Sequence, residues 1–69
     1  MKLSARNILK GKVVKVTKGA VNSEVIIELP GGEKLVSIIT NTSVKALGLV
    51  KGKAAYAVIK ASSIMIAVD

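Results

Sequence analysis

Two short stretches of the chain concentrate hydrogen-bond donors without carboxylates. Ser4-Ala5-Arg6-Asn7 sets a hydroxyl, the only guanidinium of the protein and an amide within four residues. Lys60-Ala61-Ser62-Ser63 sets an ammonium beside two hydroxyls. A tetrahedral dianion needs surroundings of this kind: one or two cations, with hydroxyl and backbone N–H donors for its remaining lone pairs. An ordinary polar loop has much the same composition, and what sets these two apart is that neither contains Asp or Glu. Thr40 and Ser43, at the start of an expected helix, add hydroxyls and the unpaired amides of a helix N-terminus.

Other chemistry finds little support. The chain has no Cys and no His, which excludes disulfides, the usual zinc, haem and iron–sulfur ligand sets, and Cys- or His-based catalysis. Glu24, Glu28, Glu33 and Asp69 are the only acids. Glu24 and Glu28 share a strand face but have no partner base, so they read as a solvated face. Pro30-Gly31-Gly32 lacks the Lys-Ser/Thr and the helix start of a phosphate loop and reads as a turn. No catalytic constellation is present, and no catalytic cofactor and no directly bound metal are expected. The protein is not expected to be an enzyme.

Composition narrows the class of partner. Eleven Lys+Arg against four Asp+Glu give a formal net charge of +7 on 69 residues, so an anionic partner is expected. The longest apolar run, Ala54–Ile59, is far short of the ~20 residues that span a bilayer, and no secretory segment follows Lys2. A cytoplasmic protein without a membrane partner is expected. A domain this small buries only about 60% of its unfolded surface. With no disulfide or metal staple, association with further subunits is the expected source of stability.

These donors must be positioned by short elements. Val13, Val14 and Val16 favour a strand over Lys12–Thr17, preceded by Gly11 and broken at Lys18-Gly19-Ala20. Val21–Leu29 alternates, with Val21, Ser23, Val25, Ile27 and Leu29 on one face and Asn22, Glu24, Ile26 and Glu28 on the other. With Lys34–Ile39 it forms a hairpin over residues 21–39. Asn41–Gly48 reads as one or two helical turns, with Asn41 or Thr42 as N-cap and Gly48 just past the end. Lys53–Lys60 and Ile64–Val68 are the last two strands. The fold class is therefore all-β: a single domain over residues 1–69, an OB-like five-stranded small barrel with one short helix.

Beyond these patterns, the chain resembles a known family. Ser4-Ala5-Arg6-Asn7 followed by Leu9-Lys10-Gly11-Lys12-Val13 is similar to the opening of the Mop domain of the molbindins, small molybdate-binding proteins. The likeness continues through Ser37-Ile38-Ile39-Thr40, Leu47-Gly48-Leu49 with Gly52, and Val58-Ile59-Lys60-Ala61-Ser62, without an insertion. The resemblance implies dimers that exchange a strand, three of which form a homohexamer, with molybdate or tungstate held between subunits for storage. In one class of site, Ser4 and Arg6 of one chain would meet Thr40, Ser43, Lys60 and Ala61 of another, with Ala5 and Ser62 in the same two elements. A second class would lie near a three-fold axis against backbone donors of Lys18, Gly19, Ala20 and Val21, with Asn22 nearby. Six copies at +7 carry +42, a self-repulsion that bound dianions would offset.

The alternative function is a basic OB-fold module for single-stranded nucleic acid. Such modules stack bases on aromatic side chains. This chain offers only Tyr56, and its lysines are scattered along the sequence. No nucleic-acid partner is expected.

Overall fold

The computed structural model describes residues 4–69. Its spine is one long strand, β1 (Asn7–Lys18), which pairs with two neighbours in succession. Residues Asn7 to Lys12 pair antiparallel with β4 (Ala54–Ile59), and Lys12 to Lys18 pair with β2 (Asn22–Glu28). The register shifts between Val13 and Lys15, an irregularity that bends a strand and increases its twist. The loop before β4 is tied to this bend: Val13 donates to the Lys53 carbonyl at 2.9 Å, and Gly52 donates to the Val13 carbonyl at 2.7 Å. With β3 (Lys34–Thr40) on the far side of β2, the sheet order is β3-β2-β1-β4.

The strand β1 begins earlier than the valine cluster predicts, and Gly11 lies inside it rather than ahead of it. The reason is packing. A Cβ on Gly11 would stand 2.5 Å from Ile27 Cγ2 and 2.6 Å from the Glu28 carbonyl oxygen. Only a glycine lets β1 pass this close to β2.

The 21–39 hairpin forms as the alternation predicts, with Asn22 opposite Thr40 and Glu28 opposite Lys34. Ser23, Val25 and Ile27 turn inward and are buried, while Glu24, Ile26 and Glu28 are half-buried on the other face. Val13, Val25 and Ile27 form the core, with Val16, Ile39, Val44, Leu49, Ala55 and Ala57 packed against it.

The helix α1 (Asn41–Leu47) starts one residue before the expected caps: Thr40 is the N-cap, its Oγ1 accepting from the Ser43 amide at 3.0 Å. The other end closes as expected on Gly48, in the left-handed conformation at φ 62°. Gly48 donates to the Lys45 carbonyl at 3.1 Å and Leu49 to the Val44 carbonyl at 3.0 Å. This is the paired bonding of a Schellman motif, with Val44 and Leu49 supplying its apolar contact. Lys53 Nζ donates to the Leu47 carbonyl at 2.8 Å and satisfies a further orphan acceptor.

Residues Ile64–Val68, expected as a fifth strand, pair with no described strand. The 3₁₀ turn Ala61–Ser63 follows β4 after Lys60, Ile64 beyond it has extended backbone, and residues 64–69 are exposed. Ile66 and Val68 are 85% and 91% exposed. The four strands curl into a half-barrel whose concave side is an open cleft of about 640 Å³ between Val25, Ile27, Leu35, Leu49, Ala57 and Ile59. Total accessible area is 5560 Å², whereas an ordinary monomer of this mass exposes about 4,100 Å². The single chain leaves uncovered the kind of apolar area that proteins bury against a partner.

Candidate anion-binding site

Register brings the two carboxylate-free stretches together. Asn7 is opposite Ile59 in the β1–β4 ladder, and Asn7 Nδ2 donates to the Ile59 carbonyl at 3.2 Å. Ser4, Ala5 and Arg6 therefore precede the same ladder end that Lys60, Ala61 and Ser62 follow. Ser4, Arg6, Lys60, Ala61 and Ser62 are exposed, and Ala5 is half-buried. The carboxylates lie elsewhere: Glu24 and Glu28 on β2, Glu33 in the β2–β3 turn and Asp69 at the C-terminus. No group of three or more Asp or Glu side chains among the described residues is arranged to hold a metal ion. The charge of this end is carried by Arg6, a planar fork of donors, and Lys60, a point charge.

Thr40 and Ser43 occupy a different part of the ladder. Thr40 ends β3 opposite Asn22, beside the turn that follows Lys18 at the other end of β1. Its hydroxyl donates to Ser43 Oγ at 2.8 Å and accepts from the Ser43 amide. Of the helix N-terminal amides expected to be free, those of Ser43 and Asn41 are therefore already satisfied, by the Thr40 hydroxyl and the Val21 carbonyl. Among the described residues no hydrogen bond joins Thr40 or Ser43 to Arg6 or Lys60. Within one chain the hydroxyl pair and the cation pair stand apart.

The stretch Lys18–Asn22 forms the β1–β2 connection. Gly19 donates to the Asn22 carbonyl at 2.8 Å, closing a tight turn. Ala20 and Val21 are exposed, and their amides donate to no described backbone carbonyl. Two free N–H donors in succession at a turn are an elementary anion-binding feature. Sequence reasoning did not find the residue that holds this turn, Asn41. Its Nδ2 donates to the Gly19 carbonyl at 2.9 Å, its backbone N–H donates to the Val21 carbonyl at 2.8 Å, and its Oδ1 accepts from Ser23 Oγ. The only available signal, an Asn near a helix start, was read as a cap. Lys18, Lys45 and Thr42 line the same depression as Asn41 and Ser23.

Tyr56, the one aromatic available for base stacking, is partly engaged: Lys10 Nζ stands 5.9 Å from its ring centroid, within cation–π range. The described residues contain no helix long and apolar enough to cross a membrane.

Comparison with known proteins follows this geometry. The TOBE domain model matches residues 3–66. A probable molybdenum-pterin-binding protein of Haemophilus influenzae is 52% identical over 69 residues, covering 100% of both chains. The solved structure of MopII from Clostridium pasteurianum, in an apo form, superposes with a TM-score of 0.92 at 48% identity, covering 97% of this chain and 100% of that one. A molybdate-binding protein from Sporomusa ovata superposes with a TM-score of 0.92 at 36% identity, covering 97% and 98%. With a domain model matched almost end to end and a relative half identical along its whole length, the chain belongs to the TOBE domain family and groups there with molybdenum-pterin-binding proteins.

Proposed function

We propose that the chain is a molbindin: it binds molybdate, and tungstate, between subunits of a homohexamer, and stores the oxyanion in the cytoplasm without catalysing a reaction. One observation carries this reading. Donors lie in two half-sites free of carboxylates, Ser4–Arg6 with Lys60–Ser62 and Thr40 with Ser43, in a chain whose full-length relatives are molybdenum-pterin-binding proteins. In the assembly Ser4 and Arg6 of one subunit meet Thr40, Ser43, Lys60 and Ala61 of another, so that a chain's own Arg6 and Lys60 serve different sites, with the Lys18–Asn22 turns forming a further class of site.

The exposed apolar surface supports the assembly. Ile64-Met65-Ile66-Ala67-Val68 is an unbroken apolar run of strand length, left exposed in the single chain, and the open cleft of the half-barrel has an apolar lining to receive it. Reciprocal exchange of this segment completes a five-stranded barrel in each subunit of a dimer, and three dimers give the hexamer. Burying the tail and cleft removes area of the order that obligate interfaces bury, roughly 2,000 Å² or more per dimer. Nucleic acid is disfavoured because Tyr56 is the lone aromatic side chain for base stacking.

Thermal melting in the presence of competing anions tests the reading. Molybdate should raise the melting temperature at concentrations where equal sulfate does little, because a ligand bound only by the native assembly stabilises it by mass action. Binding of single-stranded DNA that persists at physiological salt, with no effect of molybdate on melting, would reverse the assignment.

A further inference from the structure

We infer that Asn41 is a positioning residue that makes the 19–22 turn an anion site, by holding its carbonyls away from the ligand; this rests on the reading of that turn as the second oxyanion site. A backbone turn is indifferent to charge until its dipoles are sorted, because each carbonyl repels an anion as its N–H attracts one. Here the sorting is visible. The Gly19, Val21 and Asn22 carbonyls are all taken as acceptors, while the amides of Ala20 and Val21 stay free. Asn41 holds two of those three carbonyls, Gly19 with its side chain and Val21 with its backbone N–H.

The orientation of the Asn41 side chain is itself enforced. Ser23 is 2% exposed, and its hydroxyl donates to Asn41 Oδ1. That bond holds the Oδ1 end, while the bond from Nδ2 to the Gly19 carbonyl holds the other end independently of it. Asn41 also follows the N-cap Thr40 directly, so the hydroxyls of one proposed site and the turn of the other are braced at adjacent residues.

Three variants separate the bonds. Asn41→Ala removes both side-chain bonds without adding charge. Asn41→Asp keeps the acceptor for Ser23 and loses the donor to Gly19. Ser23→Ala removes the buried bond and leaves Nδ2 free to reach Gly19. Each is titrated with molybdate by calorimetry in the wild-type and Arg6→Ala backgrounds, with the native mass measured alongside. In Arg6→Ala only the turn class should remain at full affinity, and Asn41→Ala or Asn41→Asp should weaken it about tenfold or more, the effect of losing roughly 1–2 kcal/mol. In the wild-type background the Arg6 class should survive all three substitutions. Ser23→Ala should lower the melting temperature and keep both classes. An Arg6→Ala protein that binds no molybdate at all would remove the turn site, and this inference with it. An Asn41→Ala protein that keeps the turn class would overturn the inference and leave the site standing. Equal loss in Ser23→Ala and Asn41→Ala would also overturn it, since general loosening then suffices. If Asn41→Ala does not assemble, Asn41→Asp decides, together with amide exchange: the Gly19 N–H should exchange faster in Asn41→Asp than in Ser23→Ala, and equal rates would contradict the proposal.

Discussion

Asn7 and Ile59 are 52 residues apart in sequence, yet the Asn7 side-chain amide donates to the Ile59 carbonyl at 3.2 Å. That bond closes the open end of the β1–β4 ladder. It places Arg6 and Lys60, the next residues out along each strand, at one end of the sheet. Main-chain register thus sets both cations without an ion pair to hold them, and in the proposed assembly each serves a different site, Arg6 of one chain meeting Lys60 of another.

Removing Arg6 should cost more than removing any hydroxyl. A charge-assisted hydrogen bond contributes roughly 1.5–3 kcal/mol against ~1 for a neutral one. Arg6→Ala should therefore weaken its class of site by about one to two orders of magnitude in molybdate titrations. Arg6→Lys should recover only part of the loss, having the charge without the planar fork. Unchanged affinity and stoichiometry in Arg6→Ala would reduce Arg6 to a tether for the N-terminus.

Sites shared between subunits should complement. A mixed hexamer of Arg6→Ala and Lys60→Ala chains should regain some sites of full affinity, whereas each pure variant should have only weakened sites of that class. A mixture that binds no more than its components would mean that Arg6 and Lys60 act from the same chain.

The exposed tail should be what holds the subunits together. Ile66 is 85% exposed in the single chain, and Ile66→Asp would bury a carboxylate on exchange. The native mass should then fall from six copies of 7.1 kDa towards smaller species. A hexamer that tolerates Ile66→Asp would place the interface elsewhere.

Gly11→Ala should destabilise the fold without touching the sites. The added methyl would meet Ile27 Cγ2 and the Glu28 carbonyl, and overpacking of this kind costs about 1–3 kcal/mol. Denaturant unfolding should show the loss as a lower midpoint with little change in slope. A midpoint matching that of the unsubstituted protein would mean that the strands separate at Gly11 at no cost.

The parts of this fold legible in the sequence are those governed by local rules. Alternation over Val21–Leu29 identified the buried face, and Gly48 marked the helix end because a left-handed residue there favours glycine. The first half of β1 was hidden, since Leu9-Lys10-Gly11-Lys12 has little apolar pattern and Gly11 is required by a contact with Ile27, sixteen positions on. Asn41 and Thr42 both suit a cap by residue type, but Thr40 holds that position and Asn41 is committed instead to Gly19 and Ser23. The tail Ile64–Val68 is apolar and strand-length, yet no local rule says which chain supplies its partner. Of the candidate site, the donor stretches were readable from composition. Their juxtaposition depends on the Asn7–Ile59 register, which composition does not encode.

Calorimetric titration with molybdate, tungstate and sulfate, read together with the native mass, tests the central claim most directly. Molybdate and tungstate are tetrahedral dianions of nearly equal size, while sulfate is smaller. The account predicts a hexamer that binds the first two with similar affinity and sulfate far more weakly. A monomer at micromolar concentration that takes up neither molybdate nor tungstate would contradict it.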